Sequence, residues 1–363
     1  MKIGVLGGGQ LARMIALAGV PLGYSFVVLD PSSDACATEA ADLIQGAYDD
    51  TAALDKLAAL ADVITYEFEN VPQASARYLA TKRPVYPAAD VLHVAQDRLN
   101  EKNLFTQLGI QTPPYAPVNS LTELQDAVNS IGLPAVLKTR TQGYDGKGQA
   151  VIKTEAELAS AWASIGEVPA ILEGFIAFDR EISMIAVRNT AGEIRYYPVS
   201  ENQHADGILR VARAKPSDAI TPLAQSYTQK LLEHLDYVGV IAVEYFQRGD
   251  QLLANEFAPR VHNSGHWTIE GAECSQFENH VRAVANLPLG NTAALGHAAM
   301  VNLIGDLPSQ AEIMQIADTH PHFYGKAPRA GRKVAHVGIR SQSSEALEAT
   351  IARVNKLRGA AGA

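Results

Sequence analysis

The sequence predicts an α/β chain that opens on a helix-covered parallel sheet and turns α+β in its central and C-terminal parts. Strand and helix signals alternate through about the first ninety residues. Pro84-Val85-Tyr86-Pro87 then breaks that rhythm. From Ala170 onward strand signals dominate.

The elements follow in order. Ile3–Leu6 is a short apolar run, and Leu11–Val20 carries apolar residues at helical spacing. Ser25–Leu29 is β-rich and stops at Asp30-Pro31; a helix through Leu54–Leu60 leads to the apolar Val63–Thr65. A charged helix, Gln96–Leu108, ends at Gly109 before Pro113-Pro114. A compact unit comes next: helix Leu121–Ile131, strand Ala135–Thr139, a glycine-rich loop, strand Gln149–Lys153 and helix Glu155–Ile165. The later strands are Ala170–Phe175, Glu181–Arg188, Ile194–Val199, Val238–Phe246 and Leu252–Phe257, interrupted by helix Leu223–Leu235. The last hundred or so residues are mixed, and the Gly-Ala-Ala-Gly-Ala end reads as frayed. The expected domains are 1–96, 97–170 and 171–363.

Composition narrows the function classes. With 47% hydrophobic and 19% charged residues in 363, the chain is globular rather than disordered. Thirty basic against 39 acidic residues, net −9, argue against a nucleic-acid-binding surface but allow a local basic pocket. Cys36 and Cys274 are too few for a disulfide scaffold, and a single bridge between them stays open. No signal-peptide pattern and no apolar run long enough to span a bilayer are seen, so the expectation is a cytoplasmic protein.

Four segments carry chemistry. Gly7-Gly8-Gly9-Gln10-Leu11-Ala12 joins a strand to a helix in a GxGxxA pattern, with Asp30 about twenty residues on. Its amides and helix N-terminus suit any anion; a nicotinamide dinucleotide or an unliganded turn are the alternatives. Thr141-Gln142-Gly143-Tyr144-Asp145-Gly146-Lys147-Gly148-Gln149 is not a P-loop, because Gly148 follows Lys147 and a strand follows the loop. With Lys138 in the preceding strand it can fold over a triphosphate. The hairpin Val240–Phe246/Leu252–Phe257, with a three-residue loop centred on Asp250, sets Glu244 and Glu256 opposite each other. Two carboxylates in apolar strands repel unless a cation lies between them, and magnesium fits, with Asn255 alongside. A solvated hairpin face is the alternative. Ala258-Pro-Arg-Val-His-Asn-Ser-Gly-His-Trp267 follows at once, dense in hydrogen-bond donors that suit a small oxyanion.

Together these segments resemble an ATP-grasp enzyme, and more narrowly the N5-carboxyaminoimidazole ribonucleotide synthetase family. The likeness runs from Lys2 to about His336, through 7–14, 143–149, Asp206-Gly-Ile-Leu209, 255–267 and Gly331-Arg-Lys-Val-Ala-His336. It implies an ATP-grasp fold: a Rossmann-like parallel sheet domain, a small central lid domain and a larger C-terminal domain. It also implies carboxylation of 5-aminoimidazole ribonucleotide with ATP and bicarbonate, through carboxyphosphate, in purine biosynthesis. Magnesium, as two ions, would be the cofactor. By that resemblance Arg98, Lys138, Gly143, Tyr144, Asp145, Gly146, Lys147, Gly148 and Gln149 contact the ATP phosphates. Glu173, Gly174, Phe175 and Ile176 line the adenine pocket, Glu181 meets the ribose, and His204 sits near the nucleotide. Glu244 and Glu256, with Asn255, hold magnesium. Arg260, His262 and Asn263 surround bicarbonate, and with Asp145 and Lys326 form the catalytic set. Gln10, Tyr144, Asp145, Lys326, Arg332 and Lys333 receive the ribonucleotide, and the 143–149 hairpin closes over ATP. The family also implies a homodimer and product transfer to a following mutase. The nearest rival is another ATP-grasp ligase, such as formate-dependent glycinamide ribonucleotide transformylase. A nicotinamide-dependent oxidoreductase and a non-catalytic nucleotide-binding regulator are the more distant rivals.

Overall fold

The computed structural model describes residues 1–143 and 147–361, and its strands form three sheets. The first is parallel, in the order β3-β2-β1-β4, from β1 (Lys2–Leu6), β2 (Ser25–Asp30), β3 (Asp42–Gln45) and β4 (Val63–Tyr66). Helices α1 (Gln10–Gly19) and α2 (Thr51–Leu60) lie in its crossovers. Its inner strands are covered on both faces, which is why they read as unbroken apolar runs rather than alternating ones. Helices α3 (Gln73–Ala80), α4 (Ala89–Ala95) and α5 (Arg98–Gln107) lead out of this sheet. Asp97 starts α5 by accepting from the Leu99 amide at 2.9 Å.

The central sheet is antiparallel, in the order β5-β8-β6-β7, built from β5 (Tyr115–Val118), β6 (Ala135–Thr139), β7 (Gln149–Ile152) and β8 (Ala170–Gly174). Helices α6 (Leu121–Ile131) and α7 (Leu158–Ser164) pack on it around Leu124, Leu137, Trp162 and Leu172. The expected boundary at 170/171 is therefore corrected: it cuts through β8, and this unit runs at least to Gly174. An apolar strand shows its period in sequence, not the sheet that it joins.

The remaining strands form a nine-stranded sheet, β14-β13-β9-β11-β12-β15-β17-β16, with β10 paired on β9. These are β9 (Arg180–Arg188), β10 (Ile194–Tyr196), β11 (Val199–Ala205), β12 (Ile208–Lys215), β13 (Gly239–Arg248), β14 (Gln251–Ala258), β15 (His297–Ile304), β16 (Thr319–Phe323) and β17 (Lys333–Ser341). Five helices accompany them: α8 (Thr221–His234), α9 (Thr268–Gly271), α10 (Gln276–Val284), α11 (Gln310–Met314) and α12 (Ser344–Ala361). The expected strand Ile194–Val199 splits in two, for Pro198 has no N–H to give to a ladder. The hairpin β11/β12 carried a readable signal: Asp206-Gly207, with φ of 54° and 72°, is a turn that needs left-handed backbone.

The hydrophobic cores do not follow the sheets one to one. Ile3, Val5, Ile15 and Val28 share a core with Val240 and Met300 of the large sheet and Phe277 of α10. The central sheet keeps a core of its own. His280, on α10, stitches the first and third sheets. Its Nδ1 accepts from the Val240 amide at 3.1 Å, and its Nε2 meets the Thr65 hydroxyl at 2.9 Å. Burial pushes its pKa down to about 4. The unfolded chain thus binds this proton near pH 6.5 and the fold resists it, so stability is full above 6.5 and is lost as pH falls toward 4. Denaturant unfolding across that range should lose about one proton of slope in His280→Gln; an unaltered slope removes His280 from the acid response.

Both cysteines are free thiols, which closes the question of a bridge. Among the described residues no helix is long and apolar enough to cross a membrane.

Candidate active site

The glycine turn after β1 holds anions, and they are the protein's own. The Gly8 amide donates to Asp30 Oδ2 at 2.8 Å, the Gly9 amide to Glu67 Oε1, and the Ala12 amide to Glu67 Oε2 at 2.9 Å. A Cβ on Gly7, whose φ is +100°, would lie 2.5 Å from Glu67 Cγ, so glycine is required by a carboxylate rather than by a pyrophosphate. Asp30 is further held by the Tyr48 hydroxyl at 2.9 Å. The turn therefore has no free cradle at these amides for a dinucleotide pyrophosphate. Gln10, next along, accepts from Lys326 Nζ.

The carboxylate pair stands as expected, by a different route. The hairpin turn is Gly249-Asp250, two residues and not three, since Arg248 faces Gln251. One extra residue, Asn255, bulges from β14, and the shift brings Glu244 opposite Glu256. Burial, with Glu256 close by, drives Glu244 up to about 7. Burial also opposes ionisation of Glu256, but Arg98, 2.7 Å away, together with Lys138, holds it down at about 2. The donor set of two carboxylates and the Asn255 amide oxygen is all oxygen, which suits magnesium. Among the described residues no third carboxylate, His or Cys joins it.

Lys138 Nζ lies 3.1 Å from Glu173 Oε2 and 3.4 Å from Asn255 Oδ1. Glu173 is buried and shared with Lys102 at 3.2 Å. Its side chain faces two lysines, whereas the adenine expectation for this strand concerns its backbone groups. The amides of Gly174 and Phe175 already donate to Pro114 and Pro134, at 2.8 and 3.1 Å. The apolar slot is instead aromatic: Phe175 and Phe246 line the cleft, and Phe178 stacks on Phe246 at 4.9 Å. Glu181 pairs with His204 Nδ1. Burial works against the His204 charge, yet Glu181 and Glu244 raise its pKa above the ordinary value.

The donor-rich segment after β14 is ordered by partners that its own sequence does not name. Arg260 grips Glu69 through two nitrogens, one contact being 3.1 Å, and Arg260 offsets burial to keep Glu69 below the usual carboxylate range. His262 Nδ1 meets the Ser264 hydroxyl at 2.8 Å, and its Nε2 lies 3.6 Å from Glu244. Burial and Arg260 press His262 down to about 3, so it is a neutral imidazole at pH 7. Asn263 and Asn302 exchange amide hydrogen bonds at 3.0 and 2.7 Å.

These groups converge on one cleft of about 590 Å³. It is lined by Gln10, Arg98, Lys138, Gly143, Gln149, Phe175, Glu181, His204, Glu244, Asn255, Glu256, Arg260, His262, Asn263 and Lys333. Lys326 stands behind Gln10. Arg332 is half-buried outside this lining, with Nη1 on the Ala327 carbonyl at 3.2 Å. Lys147 and Gly148 are exposed on the second glycine loop, and Ile176 follows β8. The expectations for Tyr144, Asp145 and Gly146 fall outside the described residues.

Family models match in chain order: a ribonucleotide synthetase preATP-grasp domain at 1–96, an ATP-grasp domain at 103–277, and a phosphoribosylaminoimidazole carboxylase C-terminal domain at 298–350. The N5-carboxyaminoimidazole ribonucleotide synthase of Pseudomonas aeruginosa is 53% identical over 98% of this chain and 99% of its own. The chain belongs to the N5-carboxyaminoimidazole ribonucleotide synthase family. The Bacillus subtilis synthase is 40% identical over 94% of this chain and 92% of its own. The crystal structure of the Thermus thermophilus synthetase superposes with a TM-score of 0.94 at 52% identity, covering 98% of both chains. The Aspergillus clavatus synthase, solved with ADP and 5-aminoimidazole ribonucleotide, gives 0.92 at 29% identity over 99% of this chain and 98% of its own. The fold is accordingly ATP-grasp behind a parallel pre-ATP-grasp sheet.

Within this synthase family member, sequence reasoning missed Glu67, Glu69, Glu101, Lys102 and Asn302. The first two had a signal: Glu67-Phe68-Glu69 follows β4 at the C-terminal edge of a parallel sheet, where ligands and polar groups gather. The others act through tertiary contacts and carry none.

Proposed function

We propose that the chain carboxylates the exocyclic amine of 5-aminoimidazole ribonucleotide with ATP and bicarbonate, giving N5-carboxyaminoimidazole ribonucleotide, ADP and phosphate in purine biosynthesis. The observation that carries this reading is the Glu244/Glu256 pair beside Lys138, in the same cleft as Arg260 and His262. Glu244, Glu256 and Asn255 would hold magnesium, which supplies charge neutralisation between phosphate oxygens. Lys138 and Arg98 spread charge over the transferring phosphoryl group. Arg260 orients bicarbonate, whose oxygen takes the γ-phosphoryl group as ADP leaves; the amine then bonds to the carboxyl carbon of carboxyphosphate as its C–O bond to phosphate breaks, and the departing phosphate takes the amine's proton. Neutral His262 offers Nε2–H to the developing oxyanion, because Nδ1 faces the Ser264 amide at 3.3 Å. Lys326 and Lys333 hold the ribonucleotide phosphate. A cytoplasmic location is supported by the two free thiols. A homodimer and hand-over to a mutase rest on the family likeness alone.

The decisive experiment is ADP release at controlled bicarbonate. Aminoimidazole ribonucleotide should stimulate it, and formate with glycinamide ribonucleotide should not. Release that responds only to the second pair transfers the chain to the rival ligase. Two finer expectations follow from the same reading. Arg332→Ala should raise KM for the ribonucleotide and leave KM for ATP alone; the reverse pattern would assign Arg332 to the nucleotide. An ATP analogue should protect the 143–149 hairpin from proteolysis by closing it over the phosphates, and equal cleavage rates would dismiss closure.

A further inference from the structure

The position of Glu256 depends on one bulge. From the two-residue turn at Gly249-Asp250, an uninterrupted ladder would set Glu244 against Asn255, an amide. The extra residue moves Glu256 into that place. β14 is the outer strand of its sheet, so nothing in the ladder beyond β13 holds the bulge.

Helix α5 covers that open edge with two adjacent ionisable residues, exposed by only 2% at Glu101 and 0% at Lys102. Lys102 Nζ donates to the Ala254 carbonyl at 3.1 Å, and Glu101 Oε1 accepts from the Phe257 amide at 2.6 Å. The two contacts stand on either side of Asn255-Glu256. The Ala254 amide donates to the Gln111 carbonyl at 2.7 Å, which closes the same edge. Lys102 also meets Glu173, the carboxylate that holds Lys138. Buried polar groups of this kind are costly unless hydrogen-bonded, and an apolar pair would pack a helix against a strand as well. What an apolar pair cannot do is bond the backbone at 254 and 257.

We propose that Glu101 and Lys102 are positioning residues that clamp β14 on both sides of its bulge and thereby keep Glu256, rather than Asn255, opposite Glu244. The clamp is a property of the fold; its consequence for cation binding rests on the function proposed above. A slip of one residue would replace a carboxylate by an amide across from Glu244 and turn the flanking side chains to the other face.

Hydrogen exchange and Mn²⁺ binding to the full-length protein with a non-hydrolysable ATP analogue separate the two parts. In Glu101→Leu the Phe257 amide should exchange at least about tenfold faster, and Mn²⁺ affinity should fall about tenfold. KM for the ribonucleotide should stay within about twofold. Glu101→Gln, whose carbonyl still accepts from Phe257, should restore exchange and Mn²⁺ binding. Lys102→Met carries the same test at the neighbouring contact should Glu101→Leu fail to fold. Unchanged exchange at 254–258 in the folded variants overturns the clamp whatever the metal does. Faster exchange with full Mn²⁺ affinity overturns its claimed role in placing Glu256. Glu256→Gln is measured alongside: if it too binds Mn²⁺ normally, the metal reading fails, and exchange alone decides the clamp.

Discussion

Glu256→Gln is expected to abolish turnover, with kcat falling by about 10³-fold or more. The substitution keeps volume and removes one charge. In the parent that charge is held down at about 2 by Arg98, so it is present at every working pH. Its loss leaves Glu244 as the only carboxylate of the pair. A single carboxylate beside an amide binds a divalent cation more weakly than two carboxylates do. Arg98 also loses its partner at 2.7 Å. Steady-state assays over a range of magnesium concentrations read the effect, and full activity at ordinary magnesium would refute the cation assignment. Glu244→Gln is the counterpart. It removes the repulsion within the pair and should raise the melting temperature while lowering activity, a separation that a purely structural pair would not give.

Arg260→Ala should lower kcat by roughly 10²–10³-fold with little change in KM for ATP. Arg260 is the cation that depresses the His262 pKa most, and it lines the cleft while gripping Glu69. The two duties are separable. Glu69→Gln keeps the shape of the pair and relieves the charge left behind when Arg260 is removed, so the double variant should recover stability but not turnover. Arg260→Lys should not rescue, since an ammonium cannot reproduce the two-nitrogen grip. Activity of Arg260→Ala within tenfold of the parent would remove it from the reaction.

The parts of the site that were legible in the sequence are those whose chemistry is local. The Lys138 strand, the second glycine loop and the 258–267 segment announce themselves by residue type and spacing, and Lys138, Arg260 and His262 meet in one cleft. Glu244 and Glu256 were placed opposite each other from an incorrect turn length, and a bulge made the answer right. Alternation cannot reveal a bulge, because one extra residue leaves both flanking runs intact. The glycine turn misled for a related reason. Amides seek an anion, but sequence does not say whether a ligand or a carboxylate some 60 residues on will supply it. The pairing of Glu173 with Lys102 and Lys138 is not legible in sequence, because the lysines come from α5 and β6. In the fold, β1, β2, β4, β6–β9, β13 and β14 were legible, whereas β3, β5, β11, β12 and β15–β17 were not. Thr319–Phe323 contains two histidines and a proline and has almost no β signature of its own.

The distribution of the hydrophobic cores divides the molecule mechanically. Val5 and Val28 cannot separate from Val240 and Met300 without opening one shared core, so the parallel sheet and the large sheet form a single cooperative unit. Leu124, Leu137 and Trp162 belong to a different one. The two units meet through polar contacts such as Lys138 with Asn255 and Lys102 with Glu173. A nucleotide bridging Lys138 and Glu256, as proposed, would couple two folding equilibria, lending the smaller unit the stability of the larger by mass action.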